Sequence, residues 1–135
     1  MAVGRVFDTN YLIGAWNRHG PPQSLTEARE RAKQFLNTMG SGGILSPIRL
    51  EFLSGARTKQ ELRLYDAFLD QFEVLDLAAK RQRGVRAEDW TEAERLVRRV
   101  PPDGKPRHLA DCLIRAIANR LGVEVLTNDA GFPRG

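Results

Sequence analysis

The sequence predicts an α/β fold, a Rossmann-like parallel sheet of four to five strands with helices on both faces. Three observations carry that expectation. Four apolar runs have strand length, each adjoins a stretch with helical start or stop signals, and 135 residues suit a single domain over 1–135.

The first run is Val3–Phe7, interrupted by Arg5 and ending at Asp8, and it leads into a helix that contains Ile13 and Trp16. Ser24-Leu25-Thr26-Glu27 has the form of a capping box, in which Ser24 and Glu27 satisfy free amides. It opens a helix to about Met39, which Gly40 ends. Gly43–Leu45 is the second strand. Ser46 then reads as an N-cap, with Pro47 at the first helical position of a short helix through Leu53. Thr58-Lys59-Gln60-Glu61 repeats the box before a helix to about Gln71, and Phe72–Leu77 is the third strand. A helical stretch from about Ala78 to Val100 has a break at Gly84 and stops at Pro101-Pro102-Asp103-Gly104. The last helix spans about Leu109 to Leu121, ends at Gly122, and feeds the fourth strand, Val123–Leu126. No repeat, low-complexity segment or dividing linker interrupts this order.

Composition excludes several classes. No apolar run approaches the ~20 residues of a membrane-spanning helix, and MAVGRVFDTN lacks the pattern of a secretory signal. One cysteine, Cys112, cannot form an internal disulfide, which suits a reducing cytoplasm. His19, His108 and Cys112 are too few for a zinc cage or for Cys-His chemistry. Neither a G-x-S-x-G elbow nor a G-x-x-x-x-G-K-[ST] phosphate loop is present. The net charge of +4 favours a polyanionic partner, and only four of the 21 cations are lysines. Guanidinium groups match phosphate oxygens better than ammonium groups do.

Ligands of open α/β sheets sit outside the carboxyl ends of the strands, near the switch in strand order. Four acids fall where they can reach that rim. Asp8 ends the first strand, Glu51 lies just over a turn into the helix after the second, Asp111 sits in the first turn of the last helix, and Asp129 follows the last strand. Each alone has an ordinary explanation: a helix cap, a solvated charge, an ion pair with Arg115, an Asx-turn. Together they suit a hard divalent cation, which takes oxygen ligands and can promote attack on a phosphodiester.

The chain resembles the PIN-domain family, and within it the VapC-type toxins of bacterial type II toxin–antitoxin pairs. The likeness rests on Asp8-Thr9-Asn10-x-Leu12-Ile13, Ser46-x-x-x-x-Glu51, Leu109-Ala110-Asp111-x-Leu113-Ile114 and Thr127-Asn128-Asp129 before Phe132. It implies a PIN fold and an endoribonuclease dependent on Mg2+ or Mn2+. It also implies an RNA substrate, an antitoxin partner and often a homodimer. Asp8, Glu51, Asp111 and Asp129 match the family's acidic quartet, while Asn10 and Thr127 match polar neighbours that orient water or a carboxylate. Relatives often have a second acid where this chain has Gly131, and often continue into a further strand beyond the position of Gly135.

Rival readings fit less well. A haloacid-dehalogenase-like phosphatase needs aspartate where Asn10 stands, and a receiver domain needs a lysine after a late strand, whereas none follows Lys105. A housekeeping RNA-processing nuclease and a non-catalytic RNA-binding module are the alternatives within the same fold. For RNA contacts the candidates are Arg83, Arg86, Arg95, Arg98, Arg99 and Arg107. Ile13, Trp16, Leu62, Tyr65, Phe68 and Leu69 are core candidates; any left exposed would offer an amphipathic antitoxin segment a surface.

Overall fold

The computed structural model describes residues 4–77, 84–99, 108–129 and 132–133. Val3, the start of the fifth helical stretch at Ala78, the stop at Pro101-Pro102-Asp103-Gly104, Arg83, Arg107 and Gly131 lie outside them, as does the Leu109 side chain. In chain order the elements are β1 (Arg5–Phe7), α1 (Thr9–Asn17), α2 (Leu25–Met39), β2 (Gly43–Ile44) and α3 (Ser46–Ser54). They continue with α4 (Lys59–Leu69), β3 (Glu73–Val74), α5 (Ala87–Arg99), α6 (His108–Leu121) and β4 (Glu124–Leu126).

The four strands form one parallel sheet in the order β3-β2-β1-β4. Val6 pairs with Gly43 on one side and with Val125 on the other, so β1 is central. Among the described residues six helices flank this sheet, as the alternation of apolar and helical segments predicts. None of them is long and apolar enough to cross a membrane.

Local chemistry explains most boundaries. Ser24 and Thr58 cap α2 and α4, their hydroxyls accepting from the amides of Glu27 at 3.1 Å and Glu61 at 3.0 Å. The two glutamates reach back to the amides of Gln23 and Arg57, one residue before each cap. Gly40 at φ 85° and Gly122 at φ 68° end α2 and α6 in a region open to glycine. Gly43 is required for another reason. A Cβ there would stand 2.6 Å from the Glu73 carbonyl oxygen, so only glycine lets β2 and β3 approach this closely.

Two expectations need correction. The strands are shorter than the apolar runs, because the chain turns as soon as pairing ends; Leu77 N already donates to Val74 O at 3.0 Å. The N-cap of α3 is Leu45, and Ser46 is the first helical residue. The cap comes from Asp76, fully buried, whose Oδ1 accepts from Ser46 N at 2.8 Å while Oδ2 accepts from the Ser46 hydroxyl. An acid 30 residues downstream thus caps a helix whose own N-cap residue carries no polar group.

The core runs from β1 to the helices through aromatic rings packed mostly edge to face. Phe7 meets Phe35 at 4.9 Å between centroids, and Trp16 meets Tyr65 at 4.9 Å and Phe68 at 5.2 Å. Each such side chain, fully buried, contributes ~1.5–3 kcal/mol. Trp16, Phe68 and Leu69 are buried and Tyr65 half-buried, whereas Ile13 and Leu62 remain 45% and 41% exposed. A bidentate ion pair joins α5 to α6. Arg120 donates to Asp89 from Nε at 2.7 Å and Nη2 at 2.9 Å, and Nη2 also reaches Gly84 O.

Candidate functional site

Because all strands are parallel, their carboxyl ends share one rim, and every helix that follows a strand starts there. Asp8 leaves β1 at that rim, Thr127 and Asp129 leave β4, and Glu51 stands in the second turn of α3, which follows β2. Asp111 belongs to the first turn of α6, which precedes β4 and runs back from the same rim. β1 and β4 are adjacent, and the chain departs from β1 to one side and returns to the other. Such a reversal opens a crevice for ligands.

Asp8 occupies the N-cap position of α1, at φ −68° and ψ 160°, but its side chain makes no capping hydrogen bond. Instead the Thr127 hydroxyl donates to Asp8 Oδ2 at 2.8 Å, across the gap between β1 and β4. The carboxylate is buried, at 4% exposure. Its other oxygen, Oδ1, has no hydrogen-bond donor among the described residues. Leaving a helix uncapped and a buried carboxylate half-satisfied is costly, so this arrangement is not what helix stability alone would select.

Thr9, also buried, donates its hydroxyl to Glu51 Oε1 and ties α1 to α3. On the far side Asp129 N donates to Thr127 Oγ1 at 3.1 Å. Glu51, Thr9, Asp8, Thr127 and Asp129 therefore form one polar line through adjacent residues and hydrogen bonds. Asp111 is half-buried at the start of α6. Arg115 does not pair with it; the guanidinium donates to Pro133 O at 2.8 Å and lies over the Phe132 ring. Asn10 is exposed and stays outside the line. The Cys112 thiol is pushed up by burial and then by the Asp111 charge, which makes it a poor nucleophile.

In the sequence Thr9 stands out only as a member of the Asp8-Thr9-Asn10 motif. Its burial beside Asp8 could not be read from the chain, although a second hydroxyl next to the strand-ending acid was a visible signal.

The described residues hold no group of three or more His, Cys, Asp or Glu side chains gathered as a ready-made ion cage. A magnesium-type cation does not need one, since it typically takes one or two carboxylates directly and completes its shell with water. What it needs is a rigid anionic oxygen without a competing donor, and Asp8 Oδ1 meets that condition. The donor set is all oxygen, which suits a hard ion rather than zinc or copper.

Of the arginines expected to face RNA, Arg95 pairs with Glu92 and Arg98 with Glu94 along α5, and Arg86 pairs with Glu88. Arg99 is exposed at the end of the helix. No curated protein and no solved structure matches the chain, whereas the family model of the PIN domain matches residues 5–135.

Proposed function

The chain belongs to the PIN-domain family, and from that premise we propose that it is an endoribonuclease dependent on Mg2+ or Mn2+, and the toxin of a type II toxin–antitoxin pair. PIN domains are in general metal-dependent nucleases, and PIN nucleases bind RNA. The observation that carries the reading is the Asp8 carboxylate, buried at the rim, turned away from the helix it could cap and left with one oxygen open.

In this reading Asp8 holds the cation directly, with Glu51, Asp111 and Asp129 completing the anionic field. The cation supplies positive charge against the phosphate and lowers the pKa of water. The chain supplies position. Thr127 fixes the Asp8 carboxylate by donating to Oδ2, and its own oxygen is held by Asp129 N. Thr9 fixes Glu51 through Oε1. Asn10, exposed two residues beyond Asp8, is free to orient water or substrate.

Asp8→Asn is the test of the chemistry. Cleavage of single-stranded RNA in Mg2+ should fall by roughly 100-fold or more, with thermal stability kept or raised because a buried charge is removed. Cutting at the parental rate would sink the assignment.

The toxin reading draws on a second feature. A cavity of about 360 Å3 opens beside Glu51, with Ile13, Trp16 and Tyr65 in its apolar wall and Arg57 and Glu61 at its rim. An amphipathic antitoxin segment would lay its apolar face there and bring a basic side chain to Glu51. Expression of the folded chain alone should arrest bacterial growth, and co-expression with the adjacent gene product should restore it. Unimpaired growth in the first case removes the toxin reading and leaves the nuclease.

A further inference from the structure

A second cavity beside the candidate site lies on the other flank of α1, between α1 and α2. It measures about 510 Å3, within the ~300–1,000 Å3 range of small-ligand pockets. Two of its wall residues tie it to the site. Tyr11 N donates to Asp8 O at 3.0 Å, and Asn128 stands between Thr127 and Asp129. We propose that this cavity holds a nucleotide of the RNA strand adjoining the phosphate to be cut, its base against Tyr11 and its phosphate on Arg18 and Arg31. The proposal rests on the nuclease reading above and assigns that site its substrate pocket.

Charge separates this cavity from the one beside Glu51. The described residues lining it include Arg18, His19 and Arg31 but no carboxylate, whereas the other contains Glu51 and Glu61. Neither arginine has a carboxylate partner among the described residues. Arg31 is held in place by carbonyls, with Nη1 donating to Trp16 O at 2.6 Å and Gly20 O at 2.9 Å, and so keeps its full charge beside the cavity. A polyanion that meets a carboxylate cluster needs compensating cations close by, and these are the cations at hand.

The walls also suit a base. Tyr11 and Phe35 offer aromatic surface for stacking, which is how single-stranded RNA is mostly held. Asn128 and Gln34 offer amides for a base edge. His19 is the non-glycine residue with positive φ among the described residues, at 62°, and it lines this cavity. Residues kept in sparsely populated backbone regions gather at binding sites.

The shared chemistry is a nucleotide, free or within RNA, and the test separates the two. With EDTA present to prevent cleavage, the folded protein is titrated by NMR with adenosine 5′-monophosphate and with a five-nucleotide single-stranded RNA. Both should shift the amide resonances of Gly14, Thr38 and Asn128 and leave those of Thr91 and Glu94 in place, and the RNA should displace the mononucleotide. Arg18→Glu, an exposed change, should weaken RNA binding about tenfold and flatten its log–log salt dependence by about 0.7, the value for one lost phosphate contact. Tyr11→Ala should weaken it about tenfold through lost stacking. Shifts confined to α5, parental RNA affinity in Arg18→Glu, or a mononucleotide that RNA cannot displace would each overturn the proposal. The two readings fail separately. RNA bound in the cavity by a protein that never cuts it would retire the nuclease and keep the pocket. Cleavage lost in Asp8→Asn, with full RNA affinity in Arg18→Glu, would do the reverse.

Discussion

An aspartate at an N-cap ordinarily turns its oxygen onto the amides of the first helical turn and gains about 1 kcal/mol by doing so. Asp8 forgoes that and accepts from Thr127, 119 residues away. The acids at the rim were legible in the sequence because each sits at a strand end or first turns of a helix, positions that sequence pattern locates. Their partners were not, because Thr9 meets Glu51 and Thr127 meets Asp8 only after three separate segments converge. Thr127→Val tests the tie. The isostere removes the donor and leaves Asp8 buried with neither oxygen satisfied, so unfolding free energy should drop by about 1–3 kcal/mol in urea. Activity should fall about 10–100-fold, as for groups that orient a metal-binding carboxylate, with part of it recovered at higher Mg2+. Thr127→Ser, which keeps the hydroxyl, should restore most of both. Loss of stability without any change in the Mg2+ dependence would reduce Thr127 to a structural role.

At the scale of elements, the sequence displays signals that act locally and hides those that act at a distance. The Ser24 and Thr58 caps lie within three residues of the amides they satisfy, so the chain displays them. For α3 the local pattern points to Ser46 as the cap, whereas Asp76, which satisfies the Ser46 amide, lies 30 residues on. The same holds for α5 and α6, whose link is Asp89 with Arg120. Burial alone would raise the Asp89 pKa. The Arg120 hydrogen bonds, then the Arg86 amide and the two arginine charges, outweigh it and hold the carboxyl below its usual range. A depressed folded value means the stabilisation is complete above the unfolded pKa, about 3.9, and is lost as pH falls through the folded one. Asp89→Asn should therefore cost about 3–5 kcal/mol at pH 7, since it takes from the partly buried Arg120 the buried carboxylate that it pairs with at 2.7 Å. That penalty should shrink as pH drops below about 4, where the unfolded parent begins to protonate Asp89, and further as pH falls through the depressed folded value. Urea unfolding at pH 7 and pH 3 reads both; an equal penalty at the two would show that packing rather than ionisation is what Asp89 contributes.

Across the whole molecule, strand order decides where chemistry can sit. With β1 central and β4 beside it, the reversal falls between the two strands whose ends carry Asp8 and Asp129, which is why alternating elements and four acids sufficed to locate the rim from sequence. The distribution of positive charge was less legible. The arginine-rich stretch of α5 reads as a basic face, yet over Ala87–Arg99 three arginines stand against four carboxylates. Arg95 and Arg98 are tied to Glu92 and Glu94 within the helix, which leaves Arg99 as the described arginine of α5 without such a pair. On the proposed reading, long-range attraction of RNA then comes mainly from elsewhere, and Arg18 and Arg31, which have no carboxylate partner among the described residues, flank the cavity next to Asp8. Salt dependence measures the difference. Replacing Arg95, Arg98 and Arg99 together by glutamine should flatten the log–log salt plot for single-stranded RNA by about 0.7, the value for a single phosphate contact. If all three touched phosphates, the change would be about 2, and the RNA footprint would belong on α5 after all.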